Sequence, residues 1–164
     1  MKTEECRFCN SPLNKFMTFG KMPVANGFLK EEQIEKEYFF ELTPSFCDKC
    51  SLFQLVEHPD PEIMFHDDYA FLAAGSEVMQ NHFALLADEV IDRFNLQKTD
   101  LTIEIGNNDG GMVDYLKDKG FNQLGIDPSR NVAEIAQSKG INIINDFFTE
   151  DLAKEVEKNF GPAK

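Results

Sequence analysis

The sequence is poor in positive charge. Its 164 residues hold 16 Lys and Arg against 29 Asp and Glu, a formal charge of −13. A nucleic-acid groove needs a basic footprint, and no Lys/Arg cluster supplies one, so no nucleic-acid partner is expected. Long apolar runs are missing as well. No stretch reaches the roughly 18 consecutive apolar residues of a membrane span, and the opening MKTEECRFCN lacks the apolar segment of a signal peptide. No membrane partner is expected, and a cytoplasmic location follows by default. Histidine is scarce, with three residues.

What is present can build a core. Apolar residues make up 42%, and Phe alone supplies 16 of them, which excludes a disordered chain. The four cysteines would sit in a reducing compartment, where metal binding or catalysis outranks a disulfide.

Three regions separate by pattern. Residues 1 to about 60 hold all four cysteines, and five of the seven prolines fall in 1–61; short apolar runs such as FMTF and YFFEL predict small strands around a local staple. Residues 62 to 97 read as helical. Met79, Phe83, Leu86, Val90 and Phe94 recur at intervals of three and four, one face of a helix. Ser76 is the expected N-cap and Glu77 suits the first turn. From 100 onward LTIEI, NQLGI and INIIN read as strands, with VDYLKDKG and NVAEIAQSKG between them as helices closing on Gly. That alternation predicts a parallel sheet with helices on its faces. TEDLAKEVEKNF adds a helix capped by Thr149, and Gly161-Pro162 reads as a lead into a further strand. A doubly wound domain has two halves, so the chain is expected to be a fragment; the alternative is a compact minimal domain with its sheet edge covered by the 76–94 helix. The expected domains are a zinc-binding domain over 1–66, a helical segment over 67–97 and a partial cofactor-binding domain over 98–164. The fold class is α/β.

Cys6-Arg-Phe-Cys9 and Cys47-Asp-Lys-Cys50 are two C-x2-C pairs. Two such knuckles complete a tetrahedral sulfur shell, which suits zinc or iron. Zinc is favoured because every Cys is used once and no open position remains. The alternative is four buried or disulfide-bonded cysteines. A closed site of this kind contributes folding energy and no catalysis.

Gly106-Asn107-Asn108-Asp109-Gly110-Gly111 follows the first strand and precedes a helix, the setting of a glycine-rich ligand loop. Asn108 stands where a dinucleotide fingerprint has its middle glycine, and that glycine lets the backbone approach a pyrophosphate. Glu104 and Asp109 bring negative charge towards the loop, which disfavours a pyrophosphate and suits a cationic or amino-bearing ligand. Asp127 ends the second strand, where a carboxylate can take ribose hydroxyls. S-adenosylmethionine fits best; NAD and an empty structural turn remain alternatives. In the structural reading Glu104 is a helix partner and Asp109 a cap. His82 lies beside the helical stripe, facing a cleft or simply on the surface.

The stretches CRFCN, GKMPVANGFL, FCDKCSLFQL, FHDDYAFLAAGSEVMQNHF, IEIGNNDGG, LGIDPSRNVAEIA and NDFF, in that order, resemble the sugar-nucleotide C-methyltransferases. These are S-adenosylmethionine-dependent enzymes with an N-terminal zinc-binding domain. The resemblance implies the first half of a Rossmann-like domain and methyl transfer to a carbon beside the ketone of a keto-deoxysugar nucleotide. It implies zinc on Cys6, Cys9, Cys47 and Cys50. Glu104, Gly106, Asn108, Asp109 and Gly110 would form the cofactor loop, Asp127 would take the ribose, and Asp146 and Phe147 would approach the adenine. Tyr69, Ser76 and His82 would face the active site. Several positions depart from the family. Asn107 stands for a common Ser and Asp127 for a frequent Glu, and Phe71, Ala73 and Ala74 replace a Tyr and a serine pair. The resemblance also implies a chain more than twice as long, with a Tyr-x-Glu-His motif that deprotonates the carbon; that motif does not occur here. The catalytic residues are therefore unassigned. The expected state is either an N-terminal piece inactive alone or a zinc-stapled nucleotide-binding or structural module.

Overall fold

The computed structural model describes residues 3–25 and 27–164. Met1, Lys2 and Asn26 lie outside the described residues, the last of them within GKMPVANGFL. Two compact units result, Met1–Met64 and Phe65–Lys164.

The first unit is made of short antiparallel pieces. β1 (Asn14–Lys15), β4 (Pro44–Phe46) and β5 (Phe53–Leu55) form one sheet in the order β1-β4-β5, and β2 (Lys21–Pro23) pairs with β3 (Phe39–Glu41). A 3-10 turn spans Glu31–Lys36, and a single helical turn, α1 (Pro61–Met64), closes the unit. YFFEL supplies β3 as its pattern predicted, whereas FMTF lies outside the strands. Little apolar surface is hidden. Phe40, Val56, Cys6 and Cys47 are buried, while Phe8 and Phe28 are about four-fifths exposed (81% and 79%). A unit this small buries too little to be stable on hydrophobic contact alone, so the cysteines carry the structural weight.

The second unit is a parallel sheet with helices on both faces. β6 (Thr102–Ile105), β7 (Gln123–Ile126) and β8 (Ile143–Ile144) stand in the order β6-β7-β8. Helices α3 (Gly111–Asp118) and α4 (Arg130–Ser138) are the crossovers between them. α2 (Glu77–Phe94) precedes the sheet and α5 (Glu150–Phe160) follows it. Alternation along the strands sorts the faces. Leu101, Leu124 and Ile126 pack on Leu152 and Val156 of α5, and Val113, Ala136 and Ile141 form the opposite cluster under α3 and α4. Ala163 makes a parallel bridge to Leu101, and the Lys164 N–H donates to the Leu101 carbonyl at 3.1 Å. Residues after Gly161 thus run along the β6 edge that faces away from β7.

The expected caps are in place. The Ser76 hydroxyl accepts the Met79 N–H and the Thr149 hydroxyl accepts the Leu152 N–H, both at 3.2 Å. Gly120 and Gly140 follow the ends of α3 and α4 with φ of +78°, which a side chain would oppose. One expectation changes. The helical reading of 62–97 holds for Glu77–Phe94, but residues 65–76 form no helix. Several of their backbone groups are taken instead by side chains of the loop after β6 and of α4, described below.

Candidate functional site

Each C-x2-C pair forms a knuckle of the same design. The Cys6 N–H donates to Ser11 O and the Asn10 N–H to Cys6 O; the Cys47 N–H donates to Leu52 O and the Ser51 N–H to Cys47 O. Asn10 and Ser51 both take positive φ (56° and 62°) to turn the chain back. The four sulfurs lie within 4.8 Å of one another, with Cys6 3.5 Å from Cys50 and Cys9 3.5 Å from Cys47. All four cysteines are free. Zinc–sulfur bonds of about 2.3 Å place tetrahedral sulfurs roughly 3.8 Å apart, so the cluster has the size of a zinc shell.

The thiols differ in acidity. Hydrogen bonds from the hydroxyl and amide of Ser11 hold Cys9 down to about 6. At Cys50 the Leu52 amide pulls down, but burial and the three neighbouring thiols outweigh it and push the group up to about 12. Four thiolates repel one another at this distance, and a divalent cation removes that repulsion.

In the second unit a cavity of about 310 Å³ opens beyond the carboxyl ends of β6 and β7, where open α/β sheets bind ligands. Gly106, Asn108 and Asp127 form its floor with Ser129, and Asp146 and Phe147 line it from the loop after β8. Phe65 and Tyr69 form the opposite wall, with ring centroids 6.0 Å apart and Phe65 set edge-on to Phe147 at 6.5 Å. Phe65 and Phe148 were not singled out from the sequence, although Phe65 opens FHDDYAFLAAGSEVMQNHF and Phe148 closes NDFF.

Several expected loop residues turn away from the cavity. Asn107 is buried against Gly125, where any Cβ would stand 2.6 Å from its side chain. The Asp109 carboxylate accepts the Ala74 N–H at 2.8 Å and lies 3.4 Å from Lys139 Nζ, so its charge is met inside the protein. Gly110 caps α3 with φ of +106°, and a Cβ there would run into Ile141. Glu104 accepts the Val113 N–H at 2.9 Å. Burial pushes its carboxyl up to about 7 against the pull of the Val113 and Met112 amides. Ser76 serves as the α2 cap, and His82 lies exposed beside Phe83. Of the three residues expected to face an active site, Tyr69 alone lines the cavity.

The Asp127 carboxylate joins the two loops of the floor. One oxygen accepts the Asn108 N–H at 2.8 Å and the other the Ser129 N–H at 2.9 Å. Other loop amides are also engaged: Gly106 with Ile126 O, Gly110 with Asn107 O and Asp109 with the Asn108 side chain. A pyrophosphate cradle depends on such N–H groups being free.

Residues 6–65 match the family described as "Putative zinc binding domain". Over 163 residues, 98% of the chain, the sequence is 29% identical to the C-methyltransferase NovU of Streptomyces niveus. The chain spans 39% of that relative's length. No helix among the described residues is long and apolar enough to cross a membrane. The two similarities agree with the resemblance carried by the sequence motifs: residues 6–65 are similar to a zinc-binding domain, within a chain similar almost throughout to part of a C-methyltransferase.

Proposed function

We propose that the second unit is the first half of a Rossmann-like methyltransferase domain and that its cavity takes S-adenosylmethionine. The observation that carries this reading is the state of the loop amides. Those of Gly106, Asn108, Asp109 and Gly110 are bonded within the protein, and the Glu104 carboxyl takes the Val113 N–H at the start of α3. Four of the six amides of the Gly106–Gly111 loop are thereby engaged within the protein and are not offered to a pyrophosphate. The described lining includes the carboxylates of Asp127 and Asp146 and no Lys or Arg, which disfavours the pyrophosphate of NAD. The parallel order β6-β7-β8, with Ala163 beside Leu101, supports the Rossmann-like reading.

In this reading the remaining acceptor capacity of Asp127 takes the ribose hydroxyls, and Asp146 with Phe147 meets the adenine. Glu104, Asp109 and Gly110 act indirectly, by holding the loop. When bound, the cofactor supplies an electrophilic methyl group. The acceptor we infer is a carbon beside the ketone of a keto-deoxysugar nucleotide, which must lose a proton to attack. The described lining holds no histidine, and Asp127 has both oxygens engaged. We therefore place the base outside these 164 residues, consistent with the share of the relative that they span. Ultraviolet crosslinking of S-adenosylmethionine tests the assignment. Labelling of Tyr69 or Phe147 that S-adenosylhomocysteine suppresses and NAD does not is the expected result; suppression by NAD alone overturns it.

A further inference from the structure

Residues 69–74 form an irregular strap that meets the cavity at Tyr69, and side chains hold their backbone as a strand partner would. The Asn131 carboxamide accepts the Tyr69 N–H at 3.1 Å and donates to the Tyr69 carbonyl at 2.9 Å. The Asn108 carboxamide accepts the Ala73 N–H and donates to the Phe71 carbonyl, both at 3.0 Å. Asp109 then takes the Ala74 N–H. Each amide reads one donor and one acceptor, so the pairing depends on backbone position and not on which side chain the strap carries.

These contacts close a ring. Asn131 sits in the first turn of α4, just after Ser129, whose N–H is held by Asp127; the other Asp127 oxygen holds the N–H of Asn108. The strap, the two βα loops and Asp127 are thus one connected network, with Tyr69 at the end where its ring walls the cavity. Asn131 itself is absent from the cavity lining.

We propose that Asn131 is a positioning residue: its carboxamide fixes Tyr69, and through Tyr69 and Phe65 the aromatic wall against which a nucleoside binds. The proposal rests on the reading that the cavity takes the nucleoside cofactor. Ligand affinity therefore depends on a side chain that does not meet the ligand. Replacement of Asn131 frees the Tyr69 N–H and carbonyl together and lets the wall move, while α4 keeps its own backbone bonds.

The test uses the zinc-loaded 164-residue chain and two readouts, hydrogen exchange of the Tyr69 amide and titration with S-adenosylhomocysteine. For Asn131→Ala we expect an unchanged far-ultraviolet spectrum, Tyr69 exchange at least tenfold faster, and affinity at least tenfold weaker. Asn131→Asp keeps the acceptor for the Tyr69 N–H but loses the donor. Its exchange should stay near wild type, with an affinity between the two. Arg130→Ala breaks the exposed 2.9 Å ion pair to Asp67 in the adjoining segment and should change both readouts less than twofold. Wild-type affinity in Asn131→Ala overturns the proposal, as does unchanged Tyr69 exchange. If Asn131→Ala fails to fold, wild-type affinity in Asn131→Asp overturns it instead. A wild-type chain that takes no S-adenosylhomocysteine overturns the functional reading, and Tyr69 exchange then decides the clamp by itself.

Discussion

The carboxylate of Asp127 accepts the backbone N–H of Asn108 at 2.8 Å, and this bond ties the loop after β6 to the loop after β7. Asp127 is 6% exposed and Asn108 8%, so the pair works in a setting where a lost partner is costly. Asn108 also takes positive φ (54°), a conformation that Asn tolerates better than most residues.

Asp127→Asn separates the two oxygens of that carboxylate. One remains an acceptor, and the other becomes an N–H2 facing the N–H of Asn108 or Ser129. A buried donor left without an acceptor costs roughly 1–3 kcal/mol. We expect a lower melting temperature for the second unit, with the metal content of the first unchanged. Equal melting temperatures would show that Asp127 does not organise the loops.

Glu104 gives a pH dependence with a definite sign. Its carboxyl is raised from 4.5 to about 7 in the folded chain. As pH rises from about 4.5 to about 7 the unfolded chain ionises first, so the folded state holds the extra proton and loses stability over that window. A tenfold change in acidity corresponds to about 1.4 kcal/mol, which sets an upper bound of roughly 3 kcal/mol on the whole effect. Glu104→Gln keeps an oxygen for the Val113 N–H and removes the titration. Chemical denaturation at pH 5 and pH 8 should show the variant gaining on wild type at the higher pH. A constant difference between the two would contradict the assignment.

Much of this was legible in the residues because it follows from local rules. The paired knuckles at Cys6–Cys9 and Cys47–Cys50, the three short strands, the Ser76 and Thr149 caps and the glycines at 120 and 140 each have a signature within a few positions. The strap had none. Its hydrogen bonds join Tyr69 to Asn131 and Phe71 to Asn108 across dozens of residues, and a side-chain amide that reads backbone leaves no periodicity. For the same reason Asp109 could be read as facing a ligand, although its side chain turns to the strap.

The cysteine cluster predicts one zinc per chain. Metal analysis after purification without chelator should give close to one equivalent. Cys47→Ser should lower it and raise hydrogen exchange through residues 3–64, because metal binding there is folding energy. Disulfides without metal in a reducing preparation would refute the assignment.

The central claim is the identity of the ligand, and calorimetric titration of the zinc-loaded chain with S-adenosylhomocysteine and with NAD tests it most directly. The spent loop amides and the carboxylates of Asp127 and Asp146 predict measurable binding of S-adenosylhomocysteine and at least tenfold weaker binding of NAD. Tighter binding of NAD would contradict the account.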